Sequence, residues 1–231
     1  RGNISAARAD YLRAKNSYPF SKADLTASVR LARINLTTEK EPKFVVHTLE
    51  EILASKTAES DLKRMAELVL AEYLLQSGES ERVIALARKG MAQTEGPVSQ
   101  LYGSVYRKSL FLRLSQLVSE KKFADALALY AGEKKWLEEY GPETFRLLAE
   151  VHQGLGLYAS ANNLMQRYAT EVAKRGRIPS SSAKLGRAKA VNCFARGDYE
   201  GALESVGNDQ DARGSYLRAM ALYKLGRKSE A

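Results

Sequence analysis

Arg146, Lys184, Arg187 and Arg213, with Tyr216 and Tyr223, are the side chains whose types point to recognition chemistry. A guanidinium offers a planar fork to a carboxylate or phosphate, and tyrosine adds stacking area with little entropy to lose. Gathered along one groove, this set would suit an acidic, extended peptide. Catalytic candidates are weaker. His47 and His152 are far apart in sequence, and a zinc site needs three or four ligands that no Cys or His cluster supplies. Cys193 stands alone in AVNCFA, which rules out an internal disulfide; its apolar flank raises a thiol's pKa, so core packing is expected. The SSSAK run from Ser180 to Lys184 has no histidine near it and reads as a helix cap or linker. Gly154-Leu155-Gly156 lacks the preceding strand of a dinucleotide loop and reads as a hairpin turn. Glu50 and Glu51, like Glu138 and Glu139, are adjacent and point apart on a helix, so acid and base roles have no geometric support. No catalytic residue, metal, cofactor or small-molecule substrate is expected.

The elements that must position these side chains are helices. Among 231 residues 45% are apolar, only five are proline, and no long alternation of Val, Ile and Thr announces a sheet. Apolar runs are only a few residues long, far below the roughly 20 needed to cross a bilayer, so membrane contact is expected only through parts outside this chain. The net charge is +9, concentrated at the ends: residues 1–38 hold seven basic and two acidic side chains, and residues 171–231 hold twelve and seven. Such a balance steers anionic partners, or simply coats a solvated helical surface.

Periodicity organises the helices. Small residues and a turn recur in AELVLAEYLLQSG, in FRLLAEVHQGLGLYASANNLMQRYA and in AVNCFARGDYEGAL, with turn positions at Gly78, Lys121, Gly156, Gly197 and Gly226. Small residues belong where helices cross, and Gly96-Pro97 and Gly141-Pro142 each pair a helix-ending glycine with a helix-starting proline. Leu25, Val29, Ala32 and Leu36 predict one helix; Phe44, Val45, Leu49, Ile52 and Leu53 predict its partner after the turn TTEKEPK. The helix after Tyr199 is expected to end near Val206.

The spacing of Gly2, Ile4, Ala7, Tyr11, Ala14 and Pro19, and of Leu148, Ala149, Gly156, Tyr158, Ala161, Met165 and Tyr168, resembles the tetratricopeptide repeat family over nearly the whole chain. The turn separations of 43, 35, 41 and 29 residues scatter about the family's period of about 34. The run DYLRAKNSYPFSKADLTASVRLARI is similar to repeats of bacterial envelope proteins. The resemblance implies an all-α, right-handed superhelical solenoid of antiparallel helix hairpins, in approximate units 1–20, 21–55, 56–96, 97–140, 141–178, 179–210 and 211–231. It implies that the chain opens and closes in mid-repeat, as an excerpt of a longer array. His152 and Cys193 fall at a core position of the first helix of a repeat, so a buried, hydrogen-bonded histidine is expected.

Family members are generally not catalysts; they hold peptides along the concave face lined by the first helix of each hairpin. Carried onto this chain, that face runs from Met65, Leu68 and Glu72 through Arg146 and Glu150 to Lys184, Arg187, Arg213, Tyr216 and Tyr223. The lysine and asparagine of the family's chaperone-tail clamp have no counterpart here, so such tails are not expected ligands. The expected function is a non-enzymatic interaction scaffold of a bacterial multi-protein assembly, with periplasm or envelope preferred over cytoplasm. Its expected partner is an acidic protein or peptide, and self-association through the array ends is a further option. Alternatives stay open: Tyr216 and Tyr223 as core residues awaiting another repeat, regulation of an attached domain, or a basic nucleic-acid-binding repeat. Glu72, Glu143 and Glu150 on the inner face argue against nucleic acid.

Overall fold

The computed structural model describes residues 3–19, 21–38, 42–175, 182–207 and 211–230. Among these residues there are twelve α-helices and no strand. The chain divides into two compact units, residues 1–112 and 113–231. The first holds α1 (Ile4–Ser17), α2 (Lys22–Thr38), α3 (Pro42–Ala54), α4 (Ser60–Gln76), α5 (Ser80–Gln93) and the start of α6 (Gly96–Ser119). The second holds the end of α6, then α7 (Phe123–Tyr140), α8 (Glu143–Gly154), α9 (Tyr158–Lys174), α10 (Ser182–Ala195), α11 (Tyr199–Val206) and α12 (Ala212–Lys224).

One local device recurs in both units. Gly78, Lys121, Gly156, Gly197 and Gly226 all adopt left-handed backbone, with φ between 59° and 80°. Each ends a helix through the same two bonds: around Gly78, the Glu79 N–H donates to the Leu74 carbonyl at 2.9 Å and the Gly78 N–H to that of Leu75 at 3.3 Å. The pair is repeated from Lys122 to Leu117, Leu157 to His152, Asp198 to Cys193 and Arg227 to Leu222. This Schellman pattern satisfies carbonyls that a helix end leaves orphaned. In the first four copies the next residue is the N-cap of the following helix, so the chain reverses at once. Five residues past each of these turns stands Val83, Ala126, Ala161 or Ala202, every one sealed from solvent. Seven residues before stand Ala71, Leu114, Ala149 and Ala190, also buried. Mostly small residues at these sites let paired helices approach closely.

Helix faces follow the expected periodicity. In α9, Ala161, Met165, Tyr168 and Val172 are the buried residues, a stripe at helical spacing. The core of the first unit joins Val29 and Ala32 of α2, Val45, Leu49 and Ile52 of α3, Leu62, Ala66 and Leu70 of α4, and Val83 of α5. In the second unit, Phe145, Tyr168 and Val172 pack together, as do Ala149, Ala161 and Met165. Ala190, Cys193, Ala202, Val206 and Ala221 join α10, α11 and α12. Helix α11 ends at Val206, where the spacing placed it. Helix α7 kinks at Glu133, whose φ of −120° lies directly after Gly132.

No helix among the described residues is long and apolar enough to cross a membrane.

Candidate functional site

The cationic and aromatic candidates fall on α8, α10 and α12 of the second unit. Arg146 on α8 is clasped by carboxylates of its own helix: Nε donates to Glu143 Oε2 at 3.0 Å, and Nη1 donates to Glu150. Glu143 also accepts from the Tyr168 hydroxyl at 3.2 Å. Burial, then the Glu143 charge and hydrogen bond, push that phenol above its ordinary pKa. Arg146 therefore presents a guanidinium whose charge is already matched by two carboxylates.

Lys184 belongs to α10, but its side chain lies outside the described residues. Arg187, one turn further along, is largely buried and meets Asp211 at 3.2 Å. Asp211 caps α12 by accepting the Arg213 backbone N–H at 2.9 Å. That hydrogen bond first, with the Arg187 and Arg213 charges behind it and against desolvation, holds the Asp211 carboxyl below its ordinary pKa. Arg187 thus ties α10 to the start of α12, which fixes where the last helix begins.

Arg213, Tyr216 and Tyr223 differ in presentation. Arg213 is exposed, Tyr216 is 64% exposed and Tyr223 55% exposed. Their spacing of three and seven residues places them along one face of α12. Lys228 Nζ sits 5.3 Å from the Tyr223 ring centroid, adding a second cation to that face. On α10, Val191 is exposed one turn after Arg187, and Phe194 packs edge-on against Tyr199 at 5.2 Å. The face therefore offers stacking rings with cations beside them.

His152 was expected to be buried and hydrogen-bonded; its Nδ1 is instead buried without a partner. Burial lowers its pKa, because the charged ring would lose hydration with nothing to replace it. Cys193 is buried and accepts a long contact from Asn162 Nδ2 at 3.8 Å. Gly156 is a hairpin turn. Ser180 and Ser181 lie outside the described residues, and Ser182 opens α10. His47 pairs with Glu51 at 3.4 Å on the exposed face of α3. Glu138 accepts the Tyr130 hydroxyl at 2.7 Å across the α7 kink, and burial, followed by this bond, pushes Tyr130 up to about 12. Among the described residues no group of three or more His, Cys, Asp or Glu is placed to hold a metal ion.

A buried amide relay was not legible beforehand. Gln153 Nε2 of α8 donates to Asn192 Oδ1 of α10 at 2.6 Å, and Asn192 Nδ2 donates to Asn162 Oδ1 of α9 at 2.9 Å. Asn192 is almost wholly buried, so these bonds satisfy a side chain that would otherwise cost stability and lock three helices in register. The only sequence signal is an asparagine on an apolar helix face.

Compared with protein-family models, with curated proteins and with solved structures, the chain gives no match.

Proposed function

We propose that this chain is a tetratricopeptide-like scaffold that binds an extended, acidic segment of a protein partner along α10 and α12. The reading rests on one observation above all: the same left-handed turn, with the same two hydrogen bonds, recurs five times at intervals of 29 to 43 residues. A module built by repetition buries its apolar faces between neighbouring hairpins and leaves a row of first-helix side chains for a ligand. On α12 that row is Arg213, Tyr216 and Tyr223, all exposed.

Arg146 and Arg187 have structural roles in this proposal. Both are engaged by carboxylates of the chain itself, so they align helices while Arg213 and the tyrosines meet the ligand. The setting proposed is a bacterial envelope assembly, on the strength of the similarity over residues 10–34 alone.

The test is partner recovery from an envelope extract, comparing wild type with Arg213→Glu plus Tyr216→Ala, both at exposed positions. Wild type should retain an acidic partner that the double variant loses at least tenfold. Equal recovery by the two proteins would refute the α12 surface. A binding signal that falls steeply with salt and follows added oligonucleotide would instead favour the nucleic-acid alternative.

A further inference from the structure

Helices α8, α10 and α12 each end in the repeated turn, so their residues align when counted back from Gly156, Gly197 and Gly226. Ten residues before those turns stand Arg146, Arg187 and Tyr216, and three residues before them stand Gln153, Phe194 and Tyr223. On α8 and α10 these positions are half-buried. Arg146 is clasped by its own helix, but the next helix of the series reaches the other three. Gln153 of α8 donates to Asn192 of α10 at 2.6 Å, and Arg187 of α10 meets Asp211, the N-cap of α12, at 3.2 Å. Phe194 packs on the cluster that Ala221 of α12 helps to form. On α12 the same two positions are Tyr216 and Tyr223, 64% and 55% exposed. The seat that α10 offers to α12 is thus repeated on α12 and stands open there.

Spacing, hydroxyl chemistry and charge describe what fits that seat. Tyr216 and Tyr223 lie two turns apart, about 10.5 Å along the axis at 1.5 Å per residue, with half-buried Met220 between them. Elsewhere in this protein tyrosine hydroxyls find glutamates: Tyr102 donates to Glu67 at 2.6 Å, Tyr130 to Glu138 at 2.7 Å and Tyr168 to Glu143 at 3.2 Å. A carboxylate is the stronger kind of acceptor for such a donor. The charged residues of Ala212–Lys224 are Arg213, Arg218 and Lys224, all basic, and Lys228 stands beside the Tyr223 ring.

We propose that α12 docks an acidic amphipathic helix of a partner protein, seated on α12 as α12 is seated on α10, with two glutamates seven residues apart on Tyr216 and Tyr223 and leucines between them on Met220. This rests on the α12 surface proposed above and adds the conformation of the ligand where it meets that helix. Continuity with the packing of α8, α10 and α12 selects a helix: the positions that α8 and α10 turn toward the next helix are those that α12 leaves exposed. A seven-residue spacing returns to the same helix face after two turns, so both carboxylates and the leucines three and four residues on share one stripe. An extended strand covers about 10 Å in three residues, which puts the two end side chains on opposite faces. Charge selects the sign, since a lysine-bearing helix would meet Arg213 and Lys224.

The full chain, labelled with 15N, is titrated with an acetylated, amidated, alanine-rich peptide of about 16 residues, long enough to hold a helix in water. It carries glutamates at i and i+7 and leucines at i+3 and i+4. Comparators are the same peptide with a central proline, which breaks the helix, and with lysine in place of both glutamates. Amide shifts should saturate within residues 212–228, with 13Cα shifts of the bound peptide helical and both comparators binding at least tenfold more weakly. Tyr216→Ala plus Tyr223→Ala should weaken binding at least tenfold. Tyr216→Phe plus Tyr223→Phe, which keeps the rings and removes the donors, should weaken it at least threefold, with helical circular dichroism unchanged in both variants. A proline peptide that binds α12 as well as the helical one would overturn this inference and leave the acidic-segment reading standing. Equal binding of the lysine peptide, or no shift in residues 212–228 with either acidic peptide, would overturn both.

Discussion

Gly90→Ala should destabilise the protein although it replaces a poor helix former by the best one. A Cβ built on Gly90 of α5 falls on Cγ, Cδ1 and Cε1 of the Tyr102 ring of α6. Tyr102 is fully buried, and its hydroxyl donates to Glu67 Oε2 of α4 at 2.6 Å, so the ring can retreat neither outward nor along its own axis without losing that bond. Alanine in a helix interior gains about 0.8–1.0 kcal/mol over glycine. Overpacking a well-filled core costs about 1–3 kcal/mol. A hydrogen bond to a charged acceptor is worth about 1.5–3 kcal/mol when it is lost. The balance is a net loss of about 1.5–5 kcal/mol. Urea denaturation followed by circular dichroism measures it, with Gly132→Ala as the matched control. No atom lies within 4 Å of a Cβ at Gly132, so that change should leave stability level or raise it by up to about 1 kcal/mol. The Tyr102 phenol, raised first by burial and then by its bond to Glu67, gives an independent readout. In Gly90→Ala, alkaline difference absorbance should show a buried tyrosine titrating earlier than in wild type. A Gly90→Ala protein as stable as Gly132→Ala would refute the argument that glycine is required there by the ring.

Lys121 holds left-handed backbone where the other four turns use glycine, so Lys121→Gly should stabilise by about 0.5–1 kcal/mol, measured by denaturant midpoint. His152 has a folded pKa below its unfolded value near 6.5, so the stability tied to its neutral ring is complete above that pH and drains away as pH falls through the lower folded value. His152→Phe should therefore flatten the stability profile on the acid side of about pH 6.5, read from midpoints in buffered urea. Asn192→Ala strands Gln153 Nε2 and Asn162 Oδ1 together, and should cost about 2–4 kcal/mol in the same assay. Gln153→Ala, which frees only one end of the relay, should cost less.

What could be read from the order of residues was whatever depends on near neighbours. The turns at Gly78, Lys121, Gly156, Gly197 and Gly226 close through bonds spanning three and five residues, so composition within one helical turn is enough to announce them. The stripes of α2 and α3, and the end of α11 at Val206, are likewise local consequences of helical spacing. Other features depend on which distant residues meet. Nothing near Arg187 in sequence foretells Asp211, nothing near Gly90 foretells the Tyr102 ring, and Asn35 and Arg8 share a cleft only because α1, α2 and α3 pack as they do. Even the charge reading of the helix faces turned on this. Arg146 and Arg187 look alike as isolated cations, yet one is clasped by its own helix and the other by the N-cap residue of α12, while Arg213 is exposed. Hydrogen bonds within a turn are determined by chain connectivity, whereas pairing, burial and cavities are properties of surfaces brought together, and those exist only once the helices have packed.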